Sequence, residues 1–152
     1  FIDDFTDNHP LSEEGRLLLR GTCGKYAGVA LDLIYDHLLA ANWEQYRPGT
    51  SLLAFSQETY IRLDSYSDLL PERAERMLAA MRTHNWLYGY REVEGLRRSL
   101  GGLQRRTAVP DVFDELIGDI HPVINRIEPL FHRFFPEIGR SCSSKIHSFA
   151  LD

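Results

Sequence analysis

Two short stretches carry acids and histidines at spacings that could do chemistry. Asp3, Asp4, Asp7 and His9 give four oxygen or imidazole donors within seven residues. Asp32, Asp36 and His37 follow inside the apolar run KYAGVALDLIYDHLLAANW, Lys25 to Trp43. Carboxylate oxygens with an occasional imidazole suit Mg²⁺ or Mn²⁺ better than a structural zinc. Together the two clusters describe a hard-metal hydrolase site. Each also has a plainer reading. Asp7 or Asn8 could cap a helix while the other acids stay solvated. Asp32 and Asp36 could form a buried ion pair with an arginine or with Lys25, because an unpaired buried carboxylate is costly.

The elements that must hold these groups read as helices. Asp32 and Asp36 are four residues apart, so a helix points both carboxylates the same way. Val29, Leu31, Leu33, Ile34, Leu38 and Leu39 lie all round that helix, which predicts burial on most sides and a helix from about Lys25 to Trp43. Asp3 and Asp7 share a face if their stretch is helical too. Ser12 before Glu13 and Glu14 predicts an N-cap and a helix to about Arg20. The Arg47-Pro48-Gly49 breaker precedes a helix capped at Thr50 or Ser51, with Leu52, Phe55, Leu63, Tyr66 and Leu70 at helical spacing. Pro71 suits the first position of the next helix, with Met77, Leu78 and Met81 inward. Asn85 breaks the path, and Gly101-Gly102 ends a helix carrying Tyr90, Val93 and Leu100. Pro110 opens a long amphipathic stretch through Phe134, which Pro122 and Pro129 should kink or split. The Ser-rich tail after about residue 137 should fray. No alternating strand pattern, repeat or low-complexity segment is present. The expectation is an all-α fold, one helical domain over residues 1–152.

Composition limits the function classes. The chain is 152 residues, 43% hydrophobic and 26% charged, with a formal net charge of −5. That acidity argues against general nucleic-acid binding, which needs a basic footprint. No uncharged stretch is long enough to cross a bilayer. Asp3, Asp4 and Asp7 exclude a signal peptide at the start, which leaves the cytoplasm as the expected location. Cys23 and Cys142 lack zinc-ligand spacing, and a disulfide is not expected. Against the acidic background stands a basic island: Arg91, Arg97, Arg98, Arg105 and Arg106, with only Glu92 and Glu94 among them. A solvated helix end accounts for it, and so does an acidic partner docking there.

The run I-D-x-x-T-D-x-x-P at Ile2 to Pro10, then L-D-x-x-x-D-H-x-L at Leu31 to Leu39, resembles the acyl carrier protein phosphodiesterases of bacteria. The likeness continues through Trp43, W-L-x-x-Y-R at Trp86 to Arg91, the Arg105-Arg106 pair, and the ending at Phe131 to Pro136. It covers nearly the whole chain. The resemblance implies a helical bundle distantly related to the HD-type phosphohydrolases and a divalent metal, Mn²⁺ foremost and Mg²⁺ second. It implies removal of 4'-phosphopantetheine from holo acyl carrier protein to give the apo form, within fatty acid biosynthesis. The matched polar positions are Asp3, Asp7, Asp32, Asp36 and His37. Members of the family open with a further His- and Asp-containing segment ahead of the I-D-x-x-T-D run, whereas this sequence opens on Phe1. The resemblance therefore implies that part of the ligand set lies ahead of residue 1, and that residues 1–152 alone could be inactive.

Charge then suggests roles. A phosphodiester is anionic, so a metal must offset its oxygens and lower the pKa of an attacking water. Asp3, Asp7 and Asp36 are the candidate metal ligands, with Asp3 and Asp36 foremost. Asp32 and His37 are the candidate catalytic groups. His37 lies about 100° round the helix from Asp36, so a core histidine is the competing reading. His84, His121, His132 and His147 read as structural, and His9 carries no assigned role. Acyl carrier proteins are strongly acidic, which makes Arg97, Arg98, Arg105 and Arg106 candidates for docking. Two rivals remain: an HD-like hydrolase acting on a nucleotide or small phosphoester, and a helical adaptor with ion-paired acids.

Overall fold

A computed structural model describes residues 1–149. Among them there are helices and turns and no strand, as the patterns required. In order they are α1 (Ile2–Asn8), α2 (Pro10–Cys23), α3 (Ala27–Ala41), α4 (Trp43–Tyr46), α5 (Leu52–Asp64), α6 (Glu72–Thr83), α7 (Trp86–Gly89), α8 (Val93–Gln104), α9 (Asp114–Gly118) and α10 (Ile120–Phe149). The chain divides into two compact units: Phe1–Tyr35 with Leu100–Asp152, and Asp36–Ser99.

In the first unit, α2 packs on α10, and α1 touches both. Leu19 and Cys23 of α2, Leu31 and Ile34 of α3, and Ile120, Ile127 and Phe131 of α10 are almost wholly buried. Burial stabilises by roughly 2 kcal/mol for each large apolar side chain. The α2 start differs from expectation. His9 is the N-cap, extended at φ −77° and ψ 132°, and its Nδ1 accepts from Leu11 N–H at 3.2 Å. Pro10, with φ preset, begins the helix there, so Ser12 is already helical and buried. Both cysteines are free, as expected. Burial, helped by the charge of Glu115, pushes the Cys23 thiol up to about 11.

The prolines of α10 do not split it. The break before it comes at Asp119, whose φ −128° and ψ 57° are not helical. Pro122 falls in the first turn, where no intrahelical donor is lost. Pro129 and Pro136 lie inside a helix that continues to Phe149, so the tail is helical where fraying was expected. The buried stripe Ile124, Ile127, Phe131, Phe134 and Ile138 runs past both of them. Packing on that stripe outweighs a few lost backbone bonds. For the same reason α8 runs through Gly101-Gly102 to Gln104, with Leu96 and Leu100 fully buried.

In the second unit, α5 packs on α6 and α7. Ser51 caps α5 by accepting from Ala54 N–H at 3.4 Å. Pro71 sits one position earlier than predicted, as the N-cap of α6. Leu78 of α6 is buried, but Met77 is 44% exposed and does not point inward. Trp43 donates its indole N–H to the Thr50 carbonyl at 2.6 Å and packs against Phe55. Asn85 breaks the path between α6 and α7 in the left-handed region, at φ 45°.

Candidate functional site

The apolar pattern of α3 overstated its burial. Ala30, Leu31, Ile34, Tyr35 and Leu38 are buried, whereas Val29, Asp32 and Asp36 are exposed. The helix has one open stripe, and both acids stand on it. An ion thus need not be drawn into a closed core to reach them.

In the first unit, Asp3 and Asp7 of α1 are exposed and act electrostatically on Asp32 of α3. Asp32 is exposed as a residue, yet enough protein surrounds its carboxyl for desolvation to be the largest cause of a pKa above the ordinary 3.8. The charge of Asp7 and then that of Asp3 raise it further, and Arg16 pulls it down. Asp32 thus lies within electrostatic reach of the acidic start of the chain. Arg16 is the cation of this group. It donates to the Asp7 carbonyl at 2.7 Å and pairs with Glu13 at 2.9 Å.

In the second unit, His37 is the buried histidine, 5% exposed. Its Nδ1 lies 2.7 Å from the carbonyl oxygen of Tyr90. A carbonyl only accepts, so Nδ1 carries the proton, and the lone pair of the neutral ring falls on Nε2. This hydrogen bond fixes the orientation of the ring. Backbone geometry fixes the acceptor. Tyr60 Oη accepts from Leu87 N–H at 3.0 Å, which pins α7. A Cβ on Gly95 would stand 2.0 Å from the Gly89 oxygen, so only glycine lets α8 come this close to the end of α7. Asp36 belongs to this unit and raises the pKa of Tyr90, whose main cause is burial.

The remaining expected residues are placed as follows. Arg97 and Arg98 stand on α8, and Arg105 and Arg106 in the turn after it. Arg97 is half-buried and reaches Glu94 at 3.9 Å. Arg98, Arg105 and Arg106 are exposed. Arg91 lies over the Tyr88 ring, 4.0 Å from its centroid, and pairs with Glu92. His9 is structural: besides capping α2 it meets Glu137 through Nε2 at 3.2 Å and packs edge-on against Phe134.

The expected ligands Asp3, Asp7 and Asp36 carry oxygen donors of the right kind for a hard cation, and the charges of Asp7 and Asp3 reach Asp32. Among the described residues, however, no three acidic, histidine or cysteine side chains converge to hold a metal ion. These residues alone do not make a closed ligand set.

Arg16, Ser12, Tyr35 and the Tyr90 carbonyl were not foreseen. Burial raises the pKa of the Tyr35 hydroxyl and Ser12 lowers it in part, yet neither hydroxyl finds a partner of full hydrogen-bond geometry. The Glu13–Arg16 spacing was a legible helical pair. Its reach to Asp7 depends on the turn at His9-Pro10. A backbone carbonyl leaves no side-chain signal at all.

The sequence matches the family model for acyl carrier protein phosphodiesterase over residues 1–138. It is 28% identical over 144 residues to the acyl carrier protein phosphodiesterase of Photorhabdus laumondii, covering 95% of this chain and 73% of that one. The proteins of that name from Serratia proteamaculans and Klebsiella pneumoniae are 25% and 27% identical, each over 95% of this chain and 75% of theirs. No solved structure matches. With the model spanning residues 1–138 of 152, this chain belongs to the acyl carrier protein phosphodiesterase family.

Proposed function

We propose that the chain hydrolyses the phosphodiester joining 4'-phosphopantetheine to a serine of holo acyl carrier protein. Water adds at phosphorus, the bond from phosphorus to the serine oxygen breaks, and the serine oxygen takes a proton. The products are apo carrier protein and free 4'-phosphopantetheine. The observation that carries this reading is the family match over residues 1–138, a stretch that contains Asp3, Asp7, Asp32, Asp36 and His37. His37 offers an Nε2 lone pair to take a proton from water, since Nδ1–H is committed to the Tyr90 carbonyl. The raised carboxyl of Asp32 is suited to sharing a proton with a reacting oxygen.

A divalent ion, Mn²⁺ before Mg²⁺, belongs to the proposal on donor chemistry alone, with Asp3, Asp7 and Asp36 as its ligands. The roles given to His37 and Asp32 do not run through it. Arg97, Arg98, Arg105 and Arg106 would meet the acidic carrier protein and raise the encounter rate. Cytoplasmic fatty acid metabolism is the setting that such a substrate implies. Among the described residues no helix is long and apolar enough to cross a membrane.

A comparison of substrates tests the reading. With Mn²⁺ present, kcat/KM for holo carrier protein should far exceed that for a small phosphodiester. Equal efficiency on both would replace the reading with a small-phosphoester hydrolase.

A further inference from the structure

Asp7 and Asp3 of α1 act on Asp32 of α3, so the placement of α1 matters to the acids. α1 carries Asp3, Asp4 and Asp7 and no basic residue in its last turn. At seven residues it is far below the length at which a helix is stable alone. None of its residues is buried. Phe5 packs against Phe134 of α10, and a side chain from α2 binds the C-terminal end of α1. Arg16 donates through Nη2 to the free carbonyl of Asp7 at 2.7 Å, while Nη1 lies 3.9 Å from the Asp7 carboxylate. The other edge of the same guanidinium is held by Glu13, with Nε and Nη2 each 2.9 Å from Oε2. The side chain is only 18% exposed. A guanidinium at the C-terminal end of a helix also complements the helix dipole.

We propose that Arg16 is the positioning residue of the acidic cluster: its guanidinium clamps the end of α1 to α2 and so keeps Asp7 beside Asp32. In this role it works through the two acids. Its charge also offsets the repulsion among them, which otherwise favours an α1 that lifts away. The planar fork matters as much as the charge, because a lysine ammonium cannot brace Glu13 and the Asp7 carbonyl along two edges. The inference rests on the hydrolase reading for its kinetic consequence, but not for its structural one.

The test compares Arg16→Gln and Arg16→Lys in the intact protein, by steady-state kinetics and by amide hydrogen exchange over residues 2–9. Arg16→Gln should lower kcat about 10- to 100-fold, the range seen when a supporting partner of a reactive group is lost. The loss should be the same on holo carrier protein and on a small diester, with KM for the carrier protein little changed. Amides of α1 should lose protection while those of α10 keep it. Arg16→Lys should recover part of kcat through its charge and little of the protection. Wild-type kcat in Arg16→Gln, or unchanged α1 protection in both variants, would overturn the clamp. If the unaltered protein cleaved neither substrate, the hydrolase reading would fail, and the exchange data would still decide the clamp. Should Arg16→Gln not fold, the exchange of Arg16→Lys alone decides it.

Discussion

The two groups of candidate residues are held in opposite ways. Asp3, Asp7 and Asp32 are exposed side chains kept together by one arginine against their own repulsion. His37 is buried and oriented by a backbone carbonyl, whose place is set by a glycine contact and a tyrosine hydrogen bond. Groups held by charge can move and can accept a cation. A ring held by backbone has one tautomer and one direction. On the proposed reading the acids respond to charge while the imidazole keeps one direction.

The sharpest way to break the comparison is at the rigid end. His37→Gln removes the Nε2 lone pair and should lower kcat by about 10²- to 10⁴-fold, the usual worth of a general acid or base. Thermal melting checks that the fold survives. A wild-type rate in a folded His37→Gln protein would return His37 to an ordinary core histidine. Gly95→Ala attacks the same ring from a distance. Its Cβ would meet the Gly89 oxygen at 2.0 Å, so the backbone leading to Tyr90 must shift. Overpacking of this kind costs about 1–3 kcal/mol. The variant should melt earlier and lose activity, and unchanged melting would show that the contact is not rigid.

At the charged end the stability effect is smaller and has the opposite sign. A carboxyl whose folded pKa is raised destabilises the fold wherever it is ionised. The penalty is full above the folded pKa and fades as pH falls towards 3.8, its unfolded value. Asp32→Asn should therefore stabilise the protein at neutral pH, by less than about 1 kcal/mol for so exposed a group. The gain should shrink on acidification. A Tm lowered at pH 7 would mean that the carboxylate is paired rather than crowded.

The arginines complete the comparison, as charges that lie outside both groups. Changing Arg97, Arg98, Arg105 and Arg106 to Glu should reduce kcat/KM for holo carrier protein in low salt and leave a small diester nearly untouched. The loss should fade as salt rises, since exposed charges are screened over about 10 Å at 0.1 M. A quadruple variant that processes carrier protein at the wild-type rate in low salt would make these residues a solvated helix end. Arg97 should contribute least, because Glu94 already meets it.

Legibility in the sequence followed the same division. The helices could be read, and the acids proposed for the site could be singled out, because apolar spacing and acid pairs are written in residue types. The open stripe on α3 could not be read. Val29, Leu33 and Leu39 look as apolar as Ile34, and only packing decides which side is covered. The continuity of α8 through Gly101-Gly102 and of α10 through its prolines failed for a related reason. Local propensity disfavours both, and the buried stripes they carry overrule it. Arg16 and the Tyr90 carbonyl were missed because one depends on a turn and the other on backbone.

The most direct measurement is the intact mass of holo acyl carrier protein after incubation with the intact enzyme and Mn²⁺, beside an Asp36→Asn variant. The account predicts that the wild-type protein converts holo to apo with release of 4'-phosphopantetheine, and that a folded Asp36→Asn protein leaves the mass unchanged. Carrier protein that keeps its prosthetic group with the wild-type enzyme, or loses it equally with Asp36→Asn, would contradict it.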